Sequence, residues 1–264
     1  VADHVAPGTT TAALDAFIEG EIDRMGVVSA TIGYKGYRHA SCISINHVVC
    51  HGIPGSPVPM WRGETISKDL EKSRPNDVLL DGDILNIDVT VIVDGWFGDS
   101  SRMYVAGTLA PRAQKLIDVT HKALMTGIAA VKPGNTFGDI GHAIQTYVEA
   151  QRMSVVRDFC GHGLGRVFHA PPNVLHYGRP GTKEVLEEGM IFTIEPMVNL
   201  GRPETETLSD DWTALVTVEV NGDVELPTAD PEMTLKLTRV SAEHFRNVID
   251  MTGSLVVGRK LFDF

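Results

Sequence analysis

Apolar positions along the chain follow two periods. Leu14, Phe17, Ile18 and Ile22 fall three or four residues apart, as do Ile140, Ile144 and Val148. That spacing lines one face of a helix. Each run follows a Pro-Gly turn and a threonine, in Val5-Ala6-Pro7-Gly8-Thr9-Thr10 and in Val131-Lys132-Pro133-Gly134-Asn135-Thr136, which is the punctuation of a turn passing into a helix start. Each then reaches an Arg-Met-x-Val-Val run, Arg24 to Val28 and Arg152 to Val156, read as the beginning of a strand. The shared order of turn, helix and strand predicts an internal duplication, with copies near 5–35 and 131–162. Two related halves then pack about a pseudo-twofold axis, and a site at their junction is expected.

Between the copies the period shortens to that of a sheet. Residues 83–93 are rich in β-branched side chains and are bounded by Asp81-Gly82 and Asp94-Gly95. Asp-Gly is a two-residue hairpin signal, so the segment from Trp96 returns as the partner strand. Residues 111–131 and 136–151 read as helices, and 190–199 and 213–220 as strands. Residues 54–80, which carry Pro54, Pro57, Pro59 and Pro75 among charged side chains, and 221–236 interrupt the pattern. The expectation is one α+β domain over 1–264, with insertions at 55–78 and 216–236.

The strand at 83–93 holds an acid where a core residue would be expected. Asp88 lies between Ile87 and Val89, and a carboxylate buried without compensation costs several kcal/mol. With Asp94-Gly95 as the loop, Val93 faces Trp96 and Thr90 faces Asp99. Asp88 then shares a face with Thr90, diagonal to Asp99 at about 7–8 Å between Cβ atoms. Two carboxylates on one face repel unless a cation lies between them. Two further segments point the same way. Cys160-Gly161-His162-Gly163-Leu164-Gly165 surrounds a histidine with glycines, and Thr193-Ile194-Glu195-Pro196-Met197 sets an acid in an apolar strand. Oxygen ligands with one imidazole suit Mn, Fe, Co or Zn better than a thiolate-binding metal.

Bulk properties narrow the function. A net charge of −11 argues against a non-specific nucleic-acid binder, which shows a basic face. No apolar run approaches the length of a membrane span. No signal peptide is visible at the start. Cys42, Cys50 and Cys160 are too few and too dispersed for a disulfide framework, which favours reduced thiols and a cytoplasmic location. His4, His39, His47, His121, His142 and His176 read as solvated or locally satisfied.

Taken together, Cys50-His51-Gly52-Ile53-Pro54, Asn86-Ile87-Asp88-Val89-Thr90, Gly98-Asp99-Ser100-Ser101, the Cys160–Gly165 run and Thr193-Ile194-Glu195-Pro196-Met197 closely resemble the bacterial type I methionine aminopeptidases, from about residue 5 to 216. The resemblance implies the pita-bread fold of the M24 metallopeptidases: two pseudo-symmetric halves around a central curved antiparallel sheet, with helices on its outer face. It implies two divalent ions (Co, Mn, Fe or Zn) held by Asp88, Asp99, His162 and Glu195, with a metal-activated water as nucleophile and Glu195 also moving its proton. It places His51 and His169 against the substrate, and Tyr34, Tyr37, Cys42, Phe168 and Trp212 around a methionine side chain. The implied activity is removal of the initiator methionine from nascent chains and peptides. Association with the ribosome would suit that role, and a monomer is expected.

One motif departs from the pattern. Relatives carry a bridging glutamate in Ser-Ala-Gln-aromatic-Glu-His-Thr soon after a Trp-Thr pair. Here Asp211-Trp212-Thr213-Ala214-Leu215 continues into Val216-Thr217-Val218-Glu219-Val220. A compressed echo, Leu237 to Phe245, makes Glu243 the expected fifth ligand if 216–236 is inserted. Glu219 is the rival, and absence of a fifth ligand the third case. This departure, with Trp61 in the proline-bearing insertion, keeps a second class of function open: a catalytically impaired protein binding peptide N-termini or a macromolecular partner. A creatinase or Xaa-Pro peptidase shares the fold, but His51-Gly52-Ile53-Pro54 speaks against it.

Overall fold

The computed structural model describes residues 1–56, 61–62, 65–66, 77–216, 236–237 and 255–257. Among the described residues the α-helices are α1 (Thr11–Arg24), α2 (Pro111–Ala129) and α3 (Phe137–Ala150). The first strands are β1 (Val28–Ser29), β2 (Cys42–Ile45), β3 (Val48–Cys50), β4 (Trp61–Arg62), β5 (Thr65–Ile66), β6 (Asp83–Val93) and β7 (Trp96–Ala106). After the helices come β8 (Ser154–Val155), β9 (Gly161–Gly163), β10 (Ala170–Val174), β11 (Phe192–Ile194), β12 (Val198–Asn199), β13 (Thr205–Thr207), β14 (Ala214–Val216), β15 (Lys236–Leu237) and β16 (Leu255–Val257). Every named strand pair is antiparallel. No helix among the described residues is long and apolar enough to cross a membrane.

The two predicted turn–helix copies are anchored alike. Thr10 caps α1 by accepting the Ala13 N–H, and Thr136 caps α3 in a reciprocal capping box with Asp139, satisfying donors that a helix start leaves open. Each threonine also forms an isolated bridge to a valine, Thr10 to Val78 and Thr136 to Val185. The turn glycine of each copy donates to the following leucine: Gly8 to the Leu79 carbonyl at 2.8 Å, Gly134 to Leu186 at 3.2 Å. Beyond these bridges both chains run into long or central strands, β6 and β11. The Arg-Met-x-Val-Val runs begin later than their pattern suggests. Arg24 still belongs to α1, and Gly26 (φ +69) and Arg152 (φ +60) take the left-handed turn that ends each helix. The strands start only at Val28 and Ser154.

Strand β6 separates two cores. Its odd positions Leu85 and Ile87 pack with Leu14, Ile18 and Ile22 of α1, whereas Ile84 joins the cluster of α2 and α3 around Leu116, Leu124, Ile140, Ile144 and Phe192. Side chains alternate across a strand, so Asn86, Asp88 and Thr90 share the face of Ile84, away from α1. The Asp94-Gly95 turn has positive φ at both residues (52° and 78°), the type I′ geometry that matches strand twist. The resulting register pairs Val93 with Trp96 and Thr90 with Asp99, as read from the sequence. The strand expected over 190–199 is divided into β11 and β12 by Pro196, which has no N–H for a ladder. Of 213–220, residues 214–216 form β14; 217–220 lie outside the described residues.

Candidate metal centre

Three side chains from three strands converge. Ligand atoms of Asp99 (β7), His162 (β9) and Glu195 (just past β11) all lie within 4.8 Å of one another. His162 Nε2 is 3.3 Å from Asp99 Oδ2 and 3.6 Å from Glu195 Oε1. Asp99 and His162 are buried, and Glu195 is partly so. Asp88, in the centre of the β2-β6-β7 sheet opposite Cys42 and Ser101, lines the same cavity.

Each of the three is held from behind. The Thr90 hydroxyl donates to Asp99 Oδ1 at 2.8 Å. The Thr193 hydroxyl accepts the His162 N–H at 2.9 Å and donates to Glu195 Oε1 at 2.5 Å. His162 Nδ1 lies 3.0 Å from the Gly163 carbonyl. A carbonyl only accepts, so Nδ1 carries a proton and Nε2 is the nitrogen that faces the cluster, a donor to the acids while the ring is charged and a lone pair once that proton is released. The glycines around His162 are required by packing. A Cβ on Gly161 would collide with the Thr193 carbonyl and one on Gly163 with the Pro171 carbonyl. The motif therefore reports close backbone approach.

The electrostatics of the cluster demand positive charge. Burial and the neighbouring Asp99 charge push Glu195 well above the usual carboxylate range. Burial opposes a charge on His162, but the hydrogen bond to Asp99 and the charge of Glu195 outweigh it and raise the imidazole to about 9. The protein alone thus answers the crowding of its acids by retaining protons. Two carboxylates and a neutral imidazole nitrogen form a donor set suited to Mn, Fe, Co or Zn, and a divalent ion meets the same demand with the protons released. The residues fit the group.

The cavity over the cluster has a volume of about 280 Å³. All the described residues singled out from the sequence line it: His51, His169, Tyr34, Tyr37, Cys42, Phe168 and Trp212, with the four ligand candidates. Aromatic rings form its walls, with Tyr34 and Phe168 centroids 4.9 Å apart and Tyr37 and Trp212 4.7 Å apart. Burial raises the Tyr37 hydroxyl and the Cys42 thiol far above their ordinary ranges, leaving both neutral. His169 sits 4.2 Å from the His162 ring, centroid to centroid, with Nδ1 2.9 Å from the Tyr34 hydroxyl. Burial and the His162 charge lower it to about 4. His51 has φ +54, an uncommon conformation of the kind that collects at functional sites. Glu219 and Glu243 lie outside the described residues.

The sequence reading missed several participants. Thr193 stands two residues before Glu195 on the same strand face, a Thr-x-acid signal that period 2 makes visible. Asp158, Phe159 and Met197 also line the cavity. His176, grouped with the bland histidines, is completely buried and accepts the Glu195 N–H at its Nε2, 3.0 Å away; burial lowers it to about 3. A further regularity emerges from the bridges. Asp88 follows Val78 by the same ten positions that separate Glu195 from Val185.

Known proteins resemble this chain over most of its length. Residues 1–224 match the family described as metallopeptidase family M24. The chain is 48% identical over 214 residues to a methionine aminopeptidase of Rickettsia prowazekii, covering 81% of this chain and 75% of that one. It is 46% identical over 211 residues to the methionine aminopeptidase of Escherichia coli K12, covering 80% and 73%. The crystal structure of the methionine aminopeptidase from Rickettsia prowazekii superposes with a TM-score of 0.75 at 41% identity, over 97% of this chain and 88% of that chain.

Proposed function

Because the chain belongs to metallopeptidase family M24, we infer that it is a pita-bread metalloaminopeptidase that removes methionine from the N-terminus of peptides and new proteins. The observation that carries this reading is the convergence of Asp99, His162 and Glu195 at an aromatic-walled cavity. It is supported by the methionine aminopeptidases to which the chain is similar over most of its length.

In this reading Asp88, Asp99, His162 and Glu195 hold divalent metal, two ions of Co, Mn, Fe or Zn, with Glu243 as fifth ligand and Glu219 as its rival. When bound, the metal supplies Lewis acidity that polarises the scissile carbonyl and makes water nucleophilic near neutral pH. The protein's own groups do the rest. Tyr34, Tyr37, Cys42, Phe168 and Trp212 seat the unbranched thioether in a slot without charge. His169 is neutral at pH 7. If the Tyr34 hydroxyl donates to its Nδ1, its Nε2 carries a proton that it donates to the oxygen on which negative charge develops. His51 contacts the peptide near Trp212, whose ring centroid is 6.1 Å from its own. Glu195 takes a proton from the attacking water and returns it to the leaving amine.

The substrates are peptide N-termini. We further propose nascent chains at the ribosome as the physiological source, a monomeric cytoplasmic enzyme without affinity for nucleic acid or membrane, and one domain over 1–264 built by duplication of 5–35 and 131–162 with insertions at 55–78 and 216–236. The matched anchoring of Thr10 and Thr136 supports the duplication. The test is hydrolysis of a Met-Ala-Ser peptide by metal-free protein reconstituted with Mn or Co. Free methionine is expected, and its absence with every divalent ion tried would refute the assignment.

A further inference from the structure

Glu195 is held at two points, and the second lies outside the ligand set. Its carboxylate is aimed by the Thr193 hydroxyl. Its backbone follows the last residue of β11 and precedes Pro196, so its N–H is the last donor before a residue that has none. That N–H points at Nε2 of His176, 3.0 Å away. His176 comes two residues after β10, the strand that pairs with β9 and so with His162. Its ring is completely buried, and its Nδ1 meets no partner among the described residues. The hydrogen bond to Glu195 is therefore the one described polar contact of a side chain whose burial is otherwise unfavourable. An apolar ring of the same size would fill the space but could not accept the N–H.

We propose that His176 is a positioning residue which, as the neutral tautomer protonated on Nδ1, fixes the Glu195 main chain and thereby aims its carboxylate at the metal. The tautomer follows from geometry alone: a backbone N–H can only donate, so Nε2 must present its lone pair and the ring proton must reside on Nδ1. The direction of a ligand's Cα–Cβ bond is set by its backbone, and groups that orient a ligand from behind typically change metal affinity or activity by about 10–100-fold when removed. The proposal rests on the metallopeptidase reading.

Two measurements test it. In metal-free native protein labelled with 13C and 15N, the ring nitrogens of His176, assigned through bond correlations to its own backbone, are expected to show Nδ1 protonated and Nε2 unprotonated. A proton on Nε2, as the other tautomer or the imidazolium, overturns the proposal, and this readout serves even if every substitution unfolds the chain. Calorimetric titration with Mn then compares variants. His176→Leu is expected to bind about 10–100-fold more weakly, and His176→Gln, which restores an acceptor, to recover most of that loss. Val174→Ala, a buried neighbour without a link to Glu195, is expected to lower the melting temperature while leaving Mn affinity intact. Native-like Mn affinity in His176→Leu, or an equal loss in Val174→Ala, refutes positioning. If the native chain itself takes up no Mn or Co, the metallopeptidase reading fails and carries this inference with it, a result distinct from the variant outcomes.

Discussion

The Thr193 hydroxyl donates to Glu195 Oε1 across 2.5 Å, and its own oxygen, Thr193 Oγ1, accepts the His162 backbone N–H at 2.9 Å. One side chain thus sets the relative position of a carboxylate and an imidazole that come from different strands. Its own burial is complete, so neither bond competes with water.

Replacing Thr193 with valine keeps the shape and removes both bonds. The His162 N–H is left buried and unsatisfied, which costs about 1–3 kcal/mol of stability. Metal affinity or turnover should fall by about 10–100-fold. Melting curves together with Mn titration measure the two effects on one sample, and native-like metal binding in the variant would assign Thr193 to packing alone.

Stability of the metal-free protein should peak near the ordinary histidine range. Glu195 and His162 have folded-state affinities for protons above their unfolded ones, His162 near 9. The stabilisation they contribute is present at lower pH and is lost as pH rises, through about 9 for His162. His169 and His176, lowered to about 4 and 3, act in the opposite sense: their stabilisation is present above about 6.5 and is lost as pH falls. Melting temperature against pH in EDTA should therefore decline on both sides. Mn at a hundred times its Kd should add about 2.7 kcal/mol and oppose the alkaline decline, because the ion takes the place of the retained protons. A flat profile from pH 6.5 to 9 in EDTA would contradict the assigned shifts.

His169 should matter to turnover and little to metal uptake. Its ring lies against His162 and Tyr34 and is not one of the three side chains whose ligand atoms converge among the described residues. His169→Asn is expected to lower kcat by about 10²–10³-fold, the usual cost of losing one donor to a developing oxyanion, with Mn affinity unchanged. Tyr34→Phe, which removes only the partner of Nδ1, should fall between that variant and the native chain. Equal loss of Mn binding in His169→Asn would place the residue among the ligands instead.

The slot should select by shape. It forms part of a cavity of about 280 Å³, and its walls are the rings of Tyr34, Tyr37, Phe168 and Trp212 with the Cys42 thiol. A peptide beginning with norleucine, unbranched and similar in length to methionine, should be cleaved at a comparable rate. One beginning with alanine should be slower by at least about 10–200-fold, the range for a single missing methylene. Comparable kcat/KM for the alanine peptide would show that another surface recognises the first residue.

Local chemistry determined much of this protein. The Asp94-Gly95 turn, through its positive φ values, sets the β6–β7 register and so brings Thr90 opposite Asp99; that pairing is readable because a hairpin involves only neighbours in the chain. The same holds for the threonine caps of α1 and α3, whereas the glycines around His162 answer to carbonyls of Thr193 and Pro171 on other strands. Motif resemblance supplied the fold family and the residues lining the cavity. What the sequence alone did not reveal were contacts between distant segments. His176 looked like any histidine in a polar context, and only the packing of the segment after β10 behind β11 turned its Nε2 toward Glu195. The length of β11 was likewise decided where Pro196 ends its ladder. Nor was the apolar setting of Asp88 what it seemed: β6 divides two cores, so its neighbours Ile87 and Val89 point the other way, while Asn86 and Thr90 share its face. Sequence period tells which residues share a face, but only tertiary packing decides what that face meets.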